Sequence, residues 1–132
     1  MKCKVIFLIF FIVFSHCQSP QIYKNFSDYK KLEEIAVLEF DGYQIKIQDE
    51  TKSYYDILLL LEGNYLIEFR DRNSLIKGAA LCELKANSIY TIEIEDKRNF
   101  PKYNKSIYIG KCKKVEKDKT NLIEKYFLDK KL

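Results

Sequence analysis

ILLLLEGNYLIEFRD, residues 57–71, and LCELKANSIYTIEIED, residues 81–96, hold the period from which the rest of the chain can be read. Tyr65, Ile67 and Phe69 fall on one face of an extended backbone, with Glu68 and Arg70 on the other. Tyr90, Ile92 and Ile94 alternate in the same way with Thr91, Glu93 and Glu95. Strict alternation belongs to a strand with one buried face, because successive side chains point to opposite sides. Ile57 to Leu61 is instead an unbroken apolar run, the mark of a strand covered on both faces. Glu62-Gly63-Asn64, Asp71-Arg72-Asn73 and Lys85-Ala86-Asn87-Ser88 interrupt these runs as turns.

The period continues on both sides. Upstream, Ala36, Leu38 and Phe40 share a face, Asp41-Gly42 is a turn, and Tyr43, Ile45 and Ile47 alternate with Gln44, Lys46 and Gln48. Residues 48–53 form a polar loop. Downstream, Leu75 to Leu84 is a less regular apolar stretch containing Gly78. Asp96 to Asn104 reads as a polar loop with Pro101, and Ile107 to Val115 as a last strand. Short strands with turn signals at such intervals predict an all-β fold, an antiparallel sandwich of about seven strands. The tail departs from this pattern. Leu122, Ile123, Tyr126 and Phe127 fall at helical spacing, with Asn121 and Glu124 as a capping box. They predict a short C-terminal helix over about 121–130. Residues 18–33 lack a period and read as a tether, with a helical turn over Ser27 to Glu34 capped by Ser27.

The layout of the two quoted stretches resembles that of small bacterial envelope domains of the PEGA-like, prealbumin-like or immunoglobulin-like sandwich type. Glu62-Gly63 stands where those domains have Pro-Gly, and Tyr65 where a Tyr opens the next strand. Ala86-Asn87 stands in their Ala-Gly turn, before Tyr90, and Phe40-Asp41-Gly42 is similar to their early hydrophobic-Asp-Gly turn. Asn tolerates a left-handed turn position better than most residues. The resemblance runs from Leu38 to Lys113. It implies a sandwich in the cell envelope and brings no catalytic residues.

The N-terminus gives the compartment. Lys2 and Lys4 precede the apolar run Val5 to Phe14, which ends at Ser15-His16-Cys17. A spanning helix needs roughly 20 apolar residues, so the run fits the h-region of an export signal. FSHC resembles the lipobox of bacterial lipoproteins, in which cleavage precedes a Cys that becomes diacylated. Phe14 and His16 depart from its usual Leu and small residue. Cys17 is thus the expected lipidation site. The alternatives are a secreted protein cut after Cys17 and an uncleaved anchor. The expected division is a signal peptide over 1–16, a lipidated N-terminus and tether over 17–33, and a sandwich domain with its terminal helix over 34–132. The expected location is the bacterial cell envelope, lipid-anchored on the outer membrane, with a periplasmic or secreted protein as the alternative.

Cleavage leaves 116 of the 132 residues, enough for one domain. Loss of Lys2 and Lys4 lowers Lys+Arg from 23 to 21 against 19 Asp+Glu. So even a balance gives a nucleic-acid partner no electrostatic support. Cys82 and Cys112 are an even pair in an oxidising compartment, expected as a disulfide, with two buried free thiols as the alternative.

The only His is His16, inside the segment expected to be removed. Histidine-based acid–base or nucleophilic catalysis is therefore excluded from the mature chain. No catalytic, cofactor-binding or metal-ligating set emerges. Glu93 and Glu95, as a glycosidase-like carboxylate pair, read first as a solvated strand face. The composition and anchor point to a non-enzymatic envelope lipoprotein that binds or scaffolds an unknown ligand, with membrane contact through its lipid. The alternative is a surface-exposed inhibitor or host-binding protein. In that reading Phe100 and Tyr103, in Asn99-Phe100-Pro101-Lys102-Tyr103, insert into a target as aromatic anchors.

Overall fold

In the computed structural model, residues 20–116 are described. Cys17 and the helix expected over 121–130 lie outside them. The described part is all-β, with strands β1 (Ile22–Lys24), β2 (Ala36–Glu39), β3 (Tyr43–Ile47) and β4 (Ile57–Leu60). They are followed by β5 (Gly63–Asp71), β6 (Lys77–Leu84), β7 (Ser88–Phe100) and β8 (Lys105–Val115). Single 3-10 turns occupy Leu32–Glu34 and Pro101–Tyr103. The helical turn thus begins at Leu32, with Lys31 rather than Ser27 at its cap.

The expected sandwich of two stacked antiparallel sheets is corrected to one curled sheet of eight strands, a half-barrel. Its order is β1-β4-β2-β7-β8-β6-β5-β3. Three of its pairings are parallel: β1 with β4, β2 with β7 and β6 with β8. Alternation of apolar and polar residues reports that a strand has an inside, and a curled sheet supplies one as well as a stacked pair does. The two ends of the sheet approach each other at Ile45 and Tyr55, which exchange backbone hydrogen bonds of 2.8 and 2.7 Å.

The concave face holds the main core, which includes Leu38, Ile45, Ile47, Leu58, Leu60, Ile67, Phe69, Cys82, Leu84, Tyr90 and Ile92. Phe69 is the largest side chain fully enclosed there. Gly78 and Gly110 make room for its ring. A Cβ on Gly78 would collide with the Phe69 ring and the Tyr108 carbonyl, and one on Gly110 would come within 2.7 Å of Ile92 Cγ2. Phe40, Tyr43 and Phe69 extend this centre as an aromatic cluster. The first two are stacked at 4.0 Å and both meet Phe69 edge-on.

A second cluster lies on the convex face, where Ile35, Val37, Ile57, Leu59 and Ile89 are covered by Ile22, Phe26, Leu32 and Val115. Every residue of β2 and β4 is buried as a result, as the unbroken apolar run requires from Ile57 to Leu60; Leu61, expected within it, follows β4 and is 37% exposed. Residues 22–32, read as tether from sequence, thus contribute a strand and three covering side chains. Asn25 fastens them. Its Oδ1 accepts from the Leu61 amide at 2.8 Å, and its Nδ2 donates to the Tyr65 hydroxyl at 2.9 Å.

Tyr65 and Tyr90 do the same work in two places. The Tyr65 hydroxyl donates to the Leu61 carbonyl at 2.7 Å, and the Tyr90 hydroxyl accepts from the Lys85 amide at 3.0 Å. Each ring leads a strand and closes the turn before it. Asn87 sits in that second turn at φ 59°, the left-handed position its small polar side chain tolerates. Gly42 holds the turn between β2 and β3 at φ 82°.

Candidate functional site

The segment Asp96 to Asn104, expected as a loop, is mostly strand. β7 runs on to Phe100, and β8 begins at Lys105. Five pairs join them, from Asp96 with Ile109 to Phe100 with Lys105. Elsewhere these strands have second neighbours. β2 pairs with β7 only at Ser88–Tyr90, and β6 pairs with β8 only at Tyr108–Lys111. Beyond those limits the hairpin is a two-stranded ribbon. Ile109 and Tyr108, the partners of Asp96 and Lys97, are still flanked by β6, so the ribbon proper is Arg98 to Phe100 with Lys105 to Ile107, about 10 Å beyond the Lys97–Tyr108 pair at about 3.3 Å per residue.

A bulge between Ile94 and Asp96 re-aims the arm. Before it, Ile92 and Ile94 pair with Cys112 and Gly110 on the concave side. After it, Lys97 pairs with Tyr108, so the odd-numbered residues of β7 take over that side. Had the phase continued, Arg98 and Phe100 would lie on the concave face. The extra residue puts them on the convex one, in register with Ile107 and Lys105.

The tip is apolar and basic. Phe100 is 41% exposed, Tyr103 65% and Ile107 44%. Pro101 opens the 3-10 turn and Asn104 closes it at φ 49°. Lys97, Arg98, Lys102 and Lys105 lie on the same arm, and Asp96 is the one acidic residue from Asp96 to Val115. Lys97 Nζ lies 5.5 Å from the Tyr108 ring centre, and Lys102 Nζ 5.7 Å from that of Tyr103. The Ser106 hydroxyl donates to Asn99 Oδ1 at 2.8 Å across the ribbon. Phe100 and Tyr103, chosen from sequence as a loop pair, therefore stand at the end of a strand-built arm. What sequence reading missed was the cation set on the same arm. The run of basic residues from Lys97 to Lys105 was the available signal.

Below the arm, charges are paired on the convex face. Lys111 Nζ lies 2.7 Å from Glu95 Oε1, and Lys113 Nζ 3.3 Å from Glu93 Oε2. The hydrogen bond and negative charge of Glu95 raise the Lys111 pKa above 10.5. Glu93 and Glu95 are exposed strand residues, as their alternation implies. Asp56 Oδ2 accepts the Gln21 amide at 2.8 Å, holding the start of the described chain.

Cys82 and Cys112 lie on the neighbouring strands β6 and β8 and are joined as a disulfide, Cα atoms 5.1 Å apart. The bond continues the β6–β8 register, which pairs Leu81 with Lys111 one step earlier. Cys82 is buried in the concave core. Among the described residues, no group of three His, Cys, Asp or Glu side chains is placed to hold a metal ion. No described helix is long and apolar enough to cross a membrane. Comparison with protein-family models, with curated proteins and with solved structures finds no match to this chain.

Proposed function

We propose that this protein is a non-enzymatic lipoprotein of the bacterial cell envelope, held by acyl chains on Cys17, whose β-domain binds or scaffolds another envelope component. The observation that carries the reading is the closeness of the anchor to the fold. β1 begins at Ile22, five residues beyond Cys17. Each methylene of an acyl chain buried in the bilayer contributes about 0.8 kcal/mol, so two or three chains would hold the domain firmly at that surface. A mature chain without histidine also suits a binding role better than hydrolysis.

Intact mass of the protein from its native membranes tests the anchor. The expected mass is that of residues 17–132 plus acyl chains, less two hydrogens for the disulfide. A chain starting at Gln18 contradicts it. Mild crosslinking in intact envelopes tests the scaffold role, which requires a reproducible protein or wall adduct and fails without one.

A second reading, an outward-facing inhibitor or host-binding protein, is favoured by the exposure of Phe100 and Tyr103 at the tip. Rigid aromatic side chains are the usual anchors of protein interfaces. Protease treatment of intact cells separates the two: an outward-facing domain is digested and an inward-facing one survives.

A further inference from the structure

Strand direction fixes which end of the domain faces the tether. β1 runs parallel to β4, β4 antiparallel to β2, and β2 parallel to β7. β1 is therefore antiparallel to β7, and the chain enters the sheet at the end toward which β7 runs. That end carries the arm. It also carries the β5–β6 turn, because β5 runs with β7, and there Leu75 is 81% exposed beside Arg72.

From this geometry and the anchor proposed above, we infer that the β7–β8 tip is a membrane-contact site for an anionic phospholipid surface. The five steps from Cys17 to Ile22 reach at most about 17 Å. Ile22 pairs with Ile57, which faces Glu39, one step past the Leu38–Tyr90 pair. From that level to Phe100, β7 rises about 30 Å. The arm is thus long enough to reach headgroups while the tether holds the same end of the domain down.

Its chemistry suits that position. Phe100, Tyr103, Ile107 and Leu75 offer apolar and amphipathic side chains to the interfacial layer, where aromatic rings concentrate. Arg72, Lys77, Lys97, Arg98, Lys102 and Lys105 oppose Asp41, Asp56, Asp71 and Asp96 at this end, a net positive face. Three of those acids already serve the backbone: Asp56 Oδ2 accepts the Gln21 amide, Asp71 Oδ1 the Ile76 amide and Asp96 Oδ1 the Lys97 amide. Each cation beside an anionic leaflet shifts the contact equilibrium by about fivefold. The opposite end holds the Lys85–Asn87 turn and the exit of β8 at Val115, and stays away from the bilayer.

The chain contains no Trp, so Tyr103→Trp installs a single fluorescent reporter. The full, processed chain carrying it is reconstituted into phosphatidylcholine vesicles with and without phosphatidylglycerol, using lipids brominated on their acyl chains. Glu83→Trp, near the opposite end, serves as the comparison. The inference expects blue-shifted, bromine-quenched emission from Tyr103→Trp on phosphatidylglycerol vesicles and unquenched emission from Glu83→Trp. Changing Lys97, Arg98, Lys102 and Lys105 together to Gln should abolish the quenching. Equal quenching on purely neutral vesicles, equal quenching of the two reporters, or crosslinking of position 103 to a protein instead of lipid would each overturn it. Mass measured on the same samples separates the two failures. An acylated Cys17 with an unquenched tip refutes the inference alone, whereas an unmodified Cys17 refutes the anchored reading beneath it.

Discussion

The two halves of β7 differ in both burial and neighbours. From Ser88 to Ile92 the strand is almost wholly buried, flanked by β2 and β8 and packed on both clusters. From Glu95 to Phe100 it is exposed throughout and keeps only β8 as a neighbour. Both halves are built from the same backbone ladder. The ladder therefore does not decide where the core stops. Side chains and third strands do. An isolated two-stranded ribbon is marginal in water, and this one persists as the continuation of a buried hairpin. Residues that add little to stability yet are presented in an ordered way are suited to contact with something outside the chain.

Substitutions can break or sharpen that contrast. The largest effect belongs to Phe69→Ala, which empties the middle of the concave core. Truncation of a buried Phe costs about 3–5 kcal/mol, and a urea titration should show it as a lowered midpoint with the slope kept. The paired change Cys82→Ala/Cys112→Ala should follow closely. Opening a loop of 30 residues costs about 3–4 kcal/mol in the chain-entropy estimate, readable by the same titration without reductant.

Gly78→Ala comes next. Its methyl group meets the Phe69 ring and a backbone carbonyl that cannot move freely, and overpacking of this kind costs about 1–3 kcal/mol. Thermal unfolding followed by circular dichroism would report it. On the arm, Phe100→Ser/Tyr103→Ser should stay within about 0.5 kcal/mol of the parent, as exposed positions do. A large loss there would erase the distinction between the two halves of β7.

The smallest effect is electrostatic. Lys111 has its pKa raised in the folded protein by the hydrogen bond and charge of Glu95. The stabilisation from that shift is complete below the unfolded value of 10.5 and fades as pH climbs through the raised folded value. Lys111→Met should therefore lower the unfolding midpoint slightly near neutrality, where that stabilisation is fully present. Its curve should converge with the parent's in strong alkali, and a midpoint-against-pH series checks this.

How much of this was readable in the chain depends on the scale of the signal. The alternations at Tyr43–Ile47, Tyr65–Phe69 and Tyr90–Ile94 mark true strands, because one buried face imposes period two whatever the partner. The double burial expected over Ile57–Leu61 holds as far as Leu60 and ends at the exposed Leu61. What covers that run was hidden, since Ile22, Phe26 and Leu32 show no period of their own. The choice between stacked sheets and one curled sheet was hidden as well. It depends on which strands pair, and parallel contacts such as Ala36 with Ser88 join residues far apart in sequence. The arm was obscured for a local reason: its polar residues and Pro101 imitate a loop, while the bulge after Ile94 breaks the alternation that would have revealed a strand. Phe100 and Tyr103 stood out by residue type. That the basic residues of the arm lie at the end where β1 enters the sheet needed strand directions.

Backbone hydrogen exchange on the full chain, compared between native membrane fragments and detergent solution, tests most directly whether the arm serves an external contact. The expected result is slower exchange over residues 97–107 in membranes, with β6 residues 77–84 unchanged between the two conditions. Indistinguishable exchange of the arm in both would contradict the assignment of that segment to contact outside the fold.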